Sequence, residues 1–118
     1  MTVQELPVLS PRERTAGGCC TPFVEPDLGA ERAQRLAAIA KALGDPTRLR
    51  VVDALRKAAP EAICQCELVP LFDMSQPAIS KHLKVLASAG VIRAERRGAW
   101  KYYFVDPQGL EEFESWLS

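Results

Sequence analysis

Four cysteines are the residues of this 118-residue chain best suited to chemistry, and they occur as two close pairs. Cys19 and Cys20 are adjacent, whereas Cys64 and Cys66 are separated by one residue in the stretch EAICQCELVPLF. Thiolates select soft ions such as trivalent arsenic or antimony, cadmium and lead. Structural zinc sites use wider Cys-Cys spacings than either pair provides. All four cysteines are therefore candidate ligands of a thiophilic ion.

The spacing of Cys64 and Cys66 raises a geometric question. In a regular helix, residues two apart point about 200° away from each other. Both thiols could then bind one ion only where the backbone is extended or unwound. We therefore expect ion binding to compete with a short helix at residues 66–72, which Pro70 already weakens. A nearby helix start is also expected to lower the pKa of a thiol.

Composition limits the class of protein. Fifteen basic residues cancel fifteen acidic ones, so net charge identifies no partner. The amino terminus lacks a basic region followed by an apolar run, and Lys or Arg interrupts the longest apolar stretches. We therefore expect a cytoplasmic protein without a membrane span, in which thiols stay reduced. An enzyme is disfavoured, because there is no Cys-x-x-Cys, no glycine-rich phosphate loop and only one histidine, His82.

Turn residues and periodicity divide the chain into a flexible cysteine-bearing arm at residues 1–26 and one domain at residues 27–118. Apolar spacing predicts a first helix with Leu36, Ile39, Ala40 and Leu43 on one face, and a second helix with Leu49, Val52 and Leu55 on one face. The short helix at residues 66–72 follows. A fourth helix is predicted between an N-cap at Ser75 and a stop at Gly90.

The remaining segments complete a familiar order of elements. Residues 91–105 predict a two-stranded hairpin that turns at Arg97-Gly98, and residues 106–118 predict a closing helix. Helices, a further helix after a short turn, a hairpin and a last helix form the layout of a winged helix-turn-helix. The predicted fold is therefore mainly α with a small β-hairpin.

Charge is concentrated where such a fold meets DNA. Residues 75–104 contain six basic residues and one acid. Helical projection turns the lysines of the fourth helix outward, where they suit phosphates, while its glutamine and serine could approach base edges. The hairpin adds three cations, and His82 could either be buried or contact DNA. The candidate DNA-binding residues are Gln76, Ser80, Lys81, His82, Lys84, Arg96, Arg97 and Lys101. The alternative is a merely solvated basic face.

Several motifs in order carry a family resemblance. The stretches KALGDPTRLRVVDAL, MSQPAISKHLKVLASAGVI and RRGAWKYYFV resemble the ArsR/SmtB family of metal- and metalloid-responsive repressors, and ICQCELV resembles that family's cysteine box. The resemblance implies a homodimeric winged-helix repressor that leaves its operator when an inducer binds. It also implies that Cys64 and Cys66 bind the inducer, with arm cysteines such as Cys19 and Cys20 as further ligands.

The resemblance further implies a dimer formed by the first and last helices. Two apolar stripes could meet their symmetry mates there, although each could instead cover its own core. The candidate interface residues are Leu36, Ile39, Leu43, Leu110, Phe113 and Trp116. Such a dimer would place two recognition helices about 34 Å apart and so predicts double-stranded operator DNA with an inverted repeat.

The identity of the inducer stays open. Trivalent arsenic or antimony is the first choice, because the two cysteine pairs offer ready three-thiolate combinations, and cadmium or lead bound by the same thiols is the rival. Zinc sensing at the closing helix is disfavoured, because residues 106–118 contain no histidine. A thiol redox or persulfide sensor, and a winged helix that binds only protein, are the remaining alternatives. The ligand set and its distribution over two subunits also stay open.

Overall fold

The computed structural model of the protein describes residues 24–118, so Cys19, Cys20 and nearly all of the expected arm lie outside the described residues. Five helices and three short strands follow one another along the chain. They are α1 (Ala30–Leu43), α2 (Pro46–Ala58), β1 (Ile63–Cys64), α3 (Gln65–Phe72), α4 (Gln76–Ser88), β2 (Ile92–Arg97), β3 (Trp100–Val105) and α5 (Pro107–Leu117). Every helix within the described range is too short or too polar to cross a membrane. The predicted fold class, mainly α with a small β-hairpin, is confirmed.

Local chemistry fixes where three of the helices begin. The side chains of Asp45, Ser75 and Asp106 each accept a hydrogen bond from a backbone N–H two or three residues later, at the starts of α2, α4 and α5. Such caps satisfy amide groups that would otherwise lack partners in the first helical turn. The bond from the Arg48 amide is also the main reason that the pKa of Asp45 is lowered.

The sheet has one strand more than the sequence predicted. Strands β2 and β3 form the expected antiparallel hairpin, with Arg97 opposite Trp100 and a left-handed Gly98 in the turn. We call β2, β3 and this turn the wing. The two-residue strand β1 pairs antiparallel with the other edge of β3, which gives the order β1-β3-β2. The expected two-stranded ribbon is therefore corrected to a three-stranded sheet.

The core lies between α2, α3, α4 and the sheet. Its fully buried side chains include Val51, Leu55, Leu68, Ile79, Leu83, Leu86, Val91 and Ile92. Two of the predicted helical faces are slightly rotated. Leu49 is 51% exposed while Val51 is buried, and Ala40 is exposed while Ala42 is buried. In both helices, the buried face is therefore displaced from the stripe that periodicity suggested.

Helices α1 and α5 pack against each other in one chain, and two of the six candidate interface residues are buried there. Leu36 and Ile39 are only 3% and 4% exposed within the single chain. The others differ: Leu43, Leu110 and Phe113 are partly buried against the core, and Trp116 is 46% exposed. The interface role of all six residues stays a prediction.

Salt bridges reinforce this packing of α1 on α5. Arg35 Nη2 lies 3.0 Å from Glu112 Oε1, and Arg32 Nε lies 3.7 Å from the same oxygen. The edge of the Phe113 ring faces Trp116, with 5.9 Å between the ring centroids. Trp116 is thus held in place by its own helix and still presents surface.

The start of α5 lies directly against the end of α4, and this contact supplies a stability prediction. A Cβ at Gly109 would collide with the carbonyl oxygen of Gly90. We expect Gly109→Ala to lower the free energy of unfolding by about 1–3 kcal/mol, because backbone must shift to admit the methyl group. Urea unfolding at a fixed protein concentration measures this. Gln108→Ala, an exposed change one residue away, should stay within about 0.5 kcal/mol of the parent. Equal urea midpoints for Gly109→Ala and Gln108→Ala would contradict this prediction, because α5 would then have shifted without loss of stability.

Candidate functional site

Cys64 and Cys66 bring their sulfur atoms together at the junction of β1 and α3. Cys64 is the last residue of β1 and has extended backbone angles of φ −68° and ψ 140°, whereas Cys66 is the second residue of α3. Their Sγ atoms are 2.7 Å apart. Cys64 is buried and Cys66 is exposed, so the pair has one fixed and one accessible thiol.

This geometry shows where the extended backbone that the two cysteines require is located. The sequence predicted that both thiols could bind one ion only where the backbone is extended or unwound. The extended backbone of Cys64 alone satisfies this condition. Helix α3 therefore begins intact at Gln65, and the backbone N–H of Cys64 donates to Glu67 Oε1 at 3.3 Å. Because Cys66 lies in the first turn of α3, the expected competition between ion binding and this helix stays a prediction.

The pKa of the Cys66 thiol is raised above its ordinary value, mainly by its hydrogen bond with the Cys64 thiol. Partial desolvation and the negative charges of Cys64 and Glu67 act in the same direction. The expected lowering by the helix start is therefore wrong for this thiol, because its hydrogen bond with the Cys64 thiol and then desolvation outweigh the one lowering contribution, a backbone hydrogen bond of Cys66 itself. Cys66 is consequently protonated at neutral pH, since an ordinary thiol already is.

The pair offers two candidate ligands for a thiophilic ion. Among residues 24–118, no group of three or more His, Cys, Asp or Glu side chains lies close enough together to hold a metal ion. A third sulfur for a pyramidal arsenic or antimony site would have to come from elsewhere. Cys19 and Cys20 lie outside the described residues, and their participation stays a prediction.

Helix α4 presents a polar face beside its buried stripe. Ile79, Leu83 and Leu86 are buried in the core. Gln76, Lys81 and Lys84 are exposed, whereas Ser80 and His82 are half-buried. His82 also lies near enough to Asp45 for its charge to help lower the pKa of that carboxyl group, after the larger effects of Arg48 and against desolvation. The structure therefore places the predicted α4 residues as helical projection indicated.

The wing carries its cations on both faces. Arg96, Arg97 and Lys101 are all exposed. The guanidinium carbon of Arg97 lies 5.0 Å from the centroid of the Tyr102 ring, and Lys101 Nζ lies 5.8 Å from that of Tyr103. Cations held over aromatic rings are restricted in position and remain accessible to an anion.

One basic residue of the same segment is used differently. Arg93 Nε donates to Asp106 Oδ2 at 3.0 Å, which ties β2 to the start of α5. Arg97 also pairs with Glu95, at 3.3 Å between Nη2 and Oε2. Within residues 75–104, the cations at positions 81, 84, 96 and 101 have no ion pair in the described part of the chain.

Sequence reasoning missed two residues near the sites. Gln65, between the two cysteines, accepts a hydrogen bond from the Tyr103 hydroxyl, with 3.3 Å between the oxygen atoms. Its position between two candidate ligands was the only signal in the sequence. Trp100, at the start of β3 beside the wing turn, is 57% exposed. The sequence pattern showed an aromatic residue in a strand but did not indicate this exposure.

Comparisons with known proteins agree with this fold. The family model described as bacterial regulatory protein, arsR family, matches residues 45–94. The uncharacterized HTH-type transcriptional regulator MJ1325 of Methanocaldococcus jannaschii is 35% identical over 82 residues, which cover 70% of this chain and 90% of that protein. The arsenic resistance transcriptional regulator ArsR1 of Pseudomonas putida is 41% identical over 68 residues, which cover 58% of this chain and 52% of that protein.

A solved structure extends the agreement to three dimensions. The crystal structure of an ArsR family transcriptional regulator is similar with a TM-score of 0.63 and 30% sequence identity, covering 72% of this chain and 84% of that chain. The matched family segment runs from the N-cap of α2 into β2, and so contains α3, α4 and the thiol pair. The chain therefore belongs to the ArsR/SmtB family of winged-helix transcriptional regulators.

Proposed function

We propose that this protein is a homodimeric repressor that binds operator DNA and is released when trivalent arsenic or antimony binds Cys64, Cys66 and a third thiol. The observation that carries the proposal is the 2.7 Å contact between the two sulfur atoms, which presents two soft ligands at one point. The name of the Pseudomonas putida relative, an arsenic resistance regulator, supports the same inducer.

The binding chemistry balances without an oxidant. Arsenous acid has three hydroxyl groups, and each As–O bond is exchanged for an As–S bond while the thiol proton leaves with the hydroxide as water. Cys64 and Cys66 would supply two of these bonds. The third would come from Cys19 or Cys20, of the same or the partner chain. About seven residues between Cys20 and Leu28 could extend over roughly 25 Å, so either origin is within reach.

The DNA-binding half of the proposal uses α4 and the wing. Gln76 and Ser80 would approach base edges in the major groove, Lys81 and Lys84 would contact phosphates, and the wing cations would contact the adjacent backbone or minor groove. In a two-fold dimer the two α4 helices would lie about 34 Å apart, which requires an inverted-repeat operator. Trp116 is the exposed member of the six candidate residues for that dimer contact.

A single titration tests the whole proposal. The reduced full-length protein is bound to its own promoter DNA and titrated with arsenite, antimonite, cadmium, lead and zinc, while DNA release and ultraviolet sulfur charge-transfer bands are recorded together. We expect arsenite and antimonite to release DNA as the bands appear. Release by cadmium or lead alone would assign the same thiols to the rival ions.

A thiol redox sensor is a second candidate, because the same sulfur contact would also let Cys64 and Cys66 react with each other on oxidation. The raised pKa of Cys66 disfavours it, since the thiolate is the form that oxidises. Release by arsenite in the presence of a strong reductant would contradict the redox mechanism. Release by an oxidant alone, reversed by reductant, would support it.

The raised pKa of Cys66 also predicts how pH separates the two classes of ion. Because the thiol is protonated below its pKa, a divalent cation must displace that proton, and its apparent affinity should rise about tenfold per pH unit for each proton released. Arsenous acid carries its own hydroxide groups, so its binding releases water and no net proton. We therefore expect cadmium binding to strengthen between pH 6.5 and 7.5 and arsenite binding to stay constant.

Charge-transfer absorbance at constant ionic strength measures both affinities, and the arsenite series is the control for the cadmium series. A cadmium affinity independent of pH would mean that the thiols are already ionised, against the raised pKa. A matching rise for arsenite would mean that the reacting species differs from neutral arsenous acid.

A further inference from the structure

The thiol pair is joined directly to the wing. Strand β1 pairs with β3 so that Cys64 lies opposite Tyr102 and Ile63 lies opposite Tyr103. Next along the chain, Gln65 Oε1 accepts a hydrogen bond from the Tyr103 hydroxyl. The segment that carries the two cysteines is thus an edge strand and a side-chain contact of the same sheet that forms the wing.

The same two tyrosines contact the cations of the wing. Tyr102 lies under the Arg97 guanidinium on one face of β3, and Tyr103 lies under Lys101 on the other. Tyr103 is 4% exposed and belongs to the core, so its ring cannot reorient freely. Each tyrosine therefore has the thiol segment on one side and a cation that could contact DNA on the other.

Ion binding would change the spacing of the two sulfur atoms on either side of Gln65. Two sulfur atoms bound to one ion at about 2.3 Å each lie roughly 3.3–3.8 Å apart, so the present 2.7 Å contact has to open. The backbone of Gln65 is the covalent link between the two ligands and becomes part of the ring that the ion closes. Cys64 is buried and paired to β3, so the exposed Cys66 is the partner that would move, and Gln65 is its covalent link to the sheet.

We propose that inducer binding reaches DNA through the wing, with Gln65 and Tyr103 as positioning residues that connect the thiol pair to β3. In this mechanism, a displacement of Gln65 alters its hydrogen bond with Tyr103 and so the position of Lys101 over the Tyr103 ring, while α3 stays folded. The inference rests on the proposed function, since it names the route by which that site acts. It differs from a route through α3 and α4, which would require α3 to move as a whole.

The test is a comparison of operator affinity with and without saturating arsenite. The variants are Tyr103→Phe, which removes only the hydroxyl, Gln65→Met, which removes the acceptor at similar size, and the two combined. We define the release factor as the ratio of operator affinity without arsenite to operator affinity with saturating arsenite. We expect the affinity without arsenite to stay within about twofold of the parent, while the release factor falls about 2- to 10-fold in each variant. The double variant should lose no more than either single one, because both remove the same bond.

Two further variants separate coupling from structure. Tyr102→Phe is the matched control, because the Tyr102 hydroxyl has no hydrogen-bond partner among residues 24–118 and its ring stays under Arg97. It should release DNA as the parent does. Gln65→Glu keeps an acceptor oxygen and should retain most of the release factor, which at saturating arsenite does not depend on inducer affinity.

The emission of Trp100 gives a readout without DNA. The chain has two tryptophans, so a Trp116→Phe background, checked for its oligomeric state, reports the wing alone. We expect arsenite to change Trp100 emission in this background and Tyr103→Phe to diminish that change.

The outcomes distinguish the two levels of the proposal. If the parent protein releases DNA and Tyr103→Phe releases it equally well, the wing route is wrong and the proposed function stands. If Tyr103→Phe lowers operator affinity equally with and without arsenite, Tyr103 has only a structural role and the wing route is again wrong. If no thiophilic ion releases the parent protein, the proposed function fails and the wing route fails with it.

Discussion

Serine at position 64 or at position 66 is expected to leave operator binding intact and to weaken release by arsenite strongly. A serine hydroxyl replaces the thiol with a smaller group of the same shape, and its oxygen is a hard ligand that a soft ion binds poorly. Coupling between two sites of one protein is typically about 1–3 kcal/mol, so each variant should lose a release factor of about 5- to 150-fold. The loss should be large in either single variant, because the proposed three-thiol site then keeps only two of its ligands.

The two substitutions differ in their structural cost, which makes the pair a stronger test than either alone. Cys64 is buried, so a serine there adds a polar group to the core, whereas Cys66 is exposed. Cys64→Ala, which removes the sulfur without adding a hydroxyl, controls for that cost. Operator titrations with and without arsenite, together with charge-transfer absorbance, provide the measurement. Undiminished release by both serine variants would place the inducer away from α3 and end the proposal.

The parts of the fold that were predictable from sequence are those that local chemistry determines. Helix α4 begins at a serine that caps it and ends before Gly90, whose φ of 79° favours glycine. Both signals lie within a few residues of the boundary they set. The outward positions of Lys81 and Lys84 follow from the same helix once its buried stripe is known, so the exposed basic face of α4 could be derived without tertiary contacts.

The geometry of the thiol pair could not be derived in this way. Strand β1 has two residues, too few for any alternation, and it exists because it pairs with β3 almost forty residues later. That pairing holds Cys64 in an extended conformation and so brings its sulfur to Cys66. Helical geometry applied to both cysteines indicated only that an extended or unwound backbone is needed, and not that the boundary between strand and helix falls between them. The bond from Tyr103 to Gln65 depends on the same long-range pairing.

Burial of the first helix shows a second limit of sequence patterns. Periodicity identified Leu36 and Ile39 as an apolar face but not the surface that covers it. In the structure this face is covered within the same chain, where Arg35 also pairs with Glu112 of α5. The distinction between an intramolecular core and a dimer interface depends on how α5 folds back, which no local pattern records.

Replacement of both Lys81 and Lys84 by alanine should weaken operator binding more than any other change considered for α4. Both side chains are exposed beside the recognition face and have no ion pair in the described part of the chain. A dimer would lose four phosphate contacts. The slope of log affinity against log salt should therefore become shallower by about 3–4, and affinity near 0.1 M salt should fall by roughly 100-fold or more.

The salt slope is the informative measurement, because a folding defect would lower the fraction of active protein but would not change the slope. Operator affinity is measured between 50 and 200 mM salt for the parent, the double lysine variant and Lys57→Ala. Lys57 is an exposed lysine in the last turn of α2, outside the basic segment of residues 75–104, and matches the charge change of one substitution. Its slope should equal that of the parent protein.

Gln76→Ala should give the opposite signature from the lysine variant. Gln76 is exposed in the first turn of α4, where a glutamine can bind adenine through two hydrogen bonds. Its loss should cost about 1–3 kcal/mol on the operator and little on unrelated DNA, with an unchanged salt slope. Because lysines would act on phosphates and Gln76 on a base, the two variants separate affinity from sequence recognition. A lysine variant with the parent salt slope, or a Gln76 variant that weakens all DNA equally, would remove α4 from the interface as assigned.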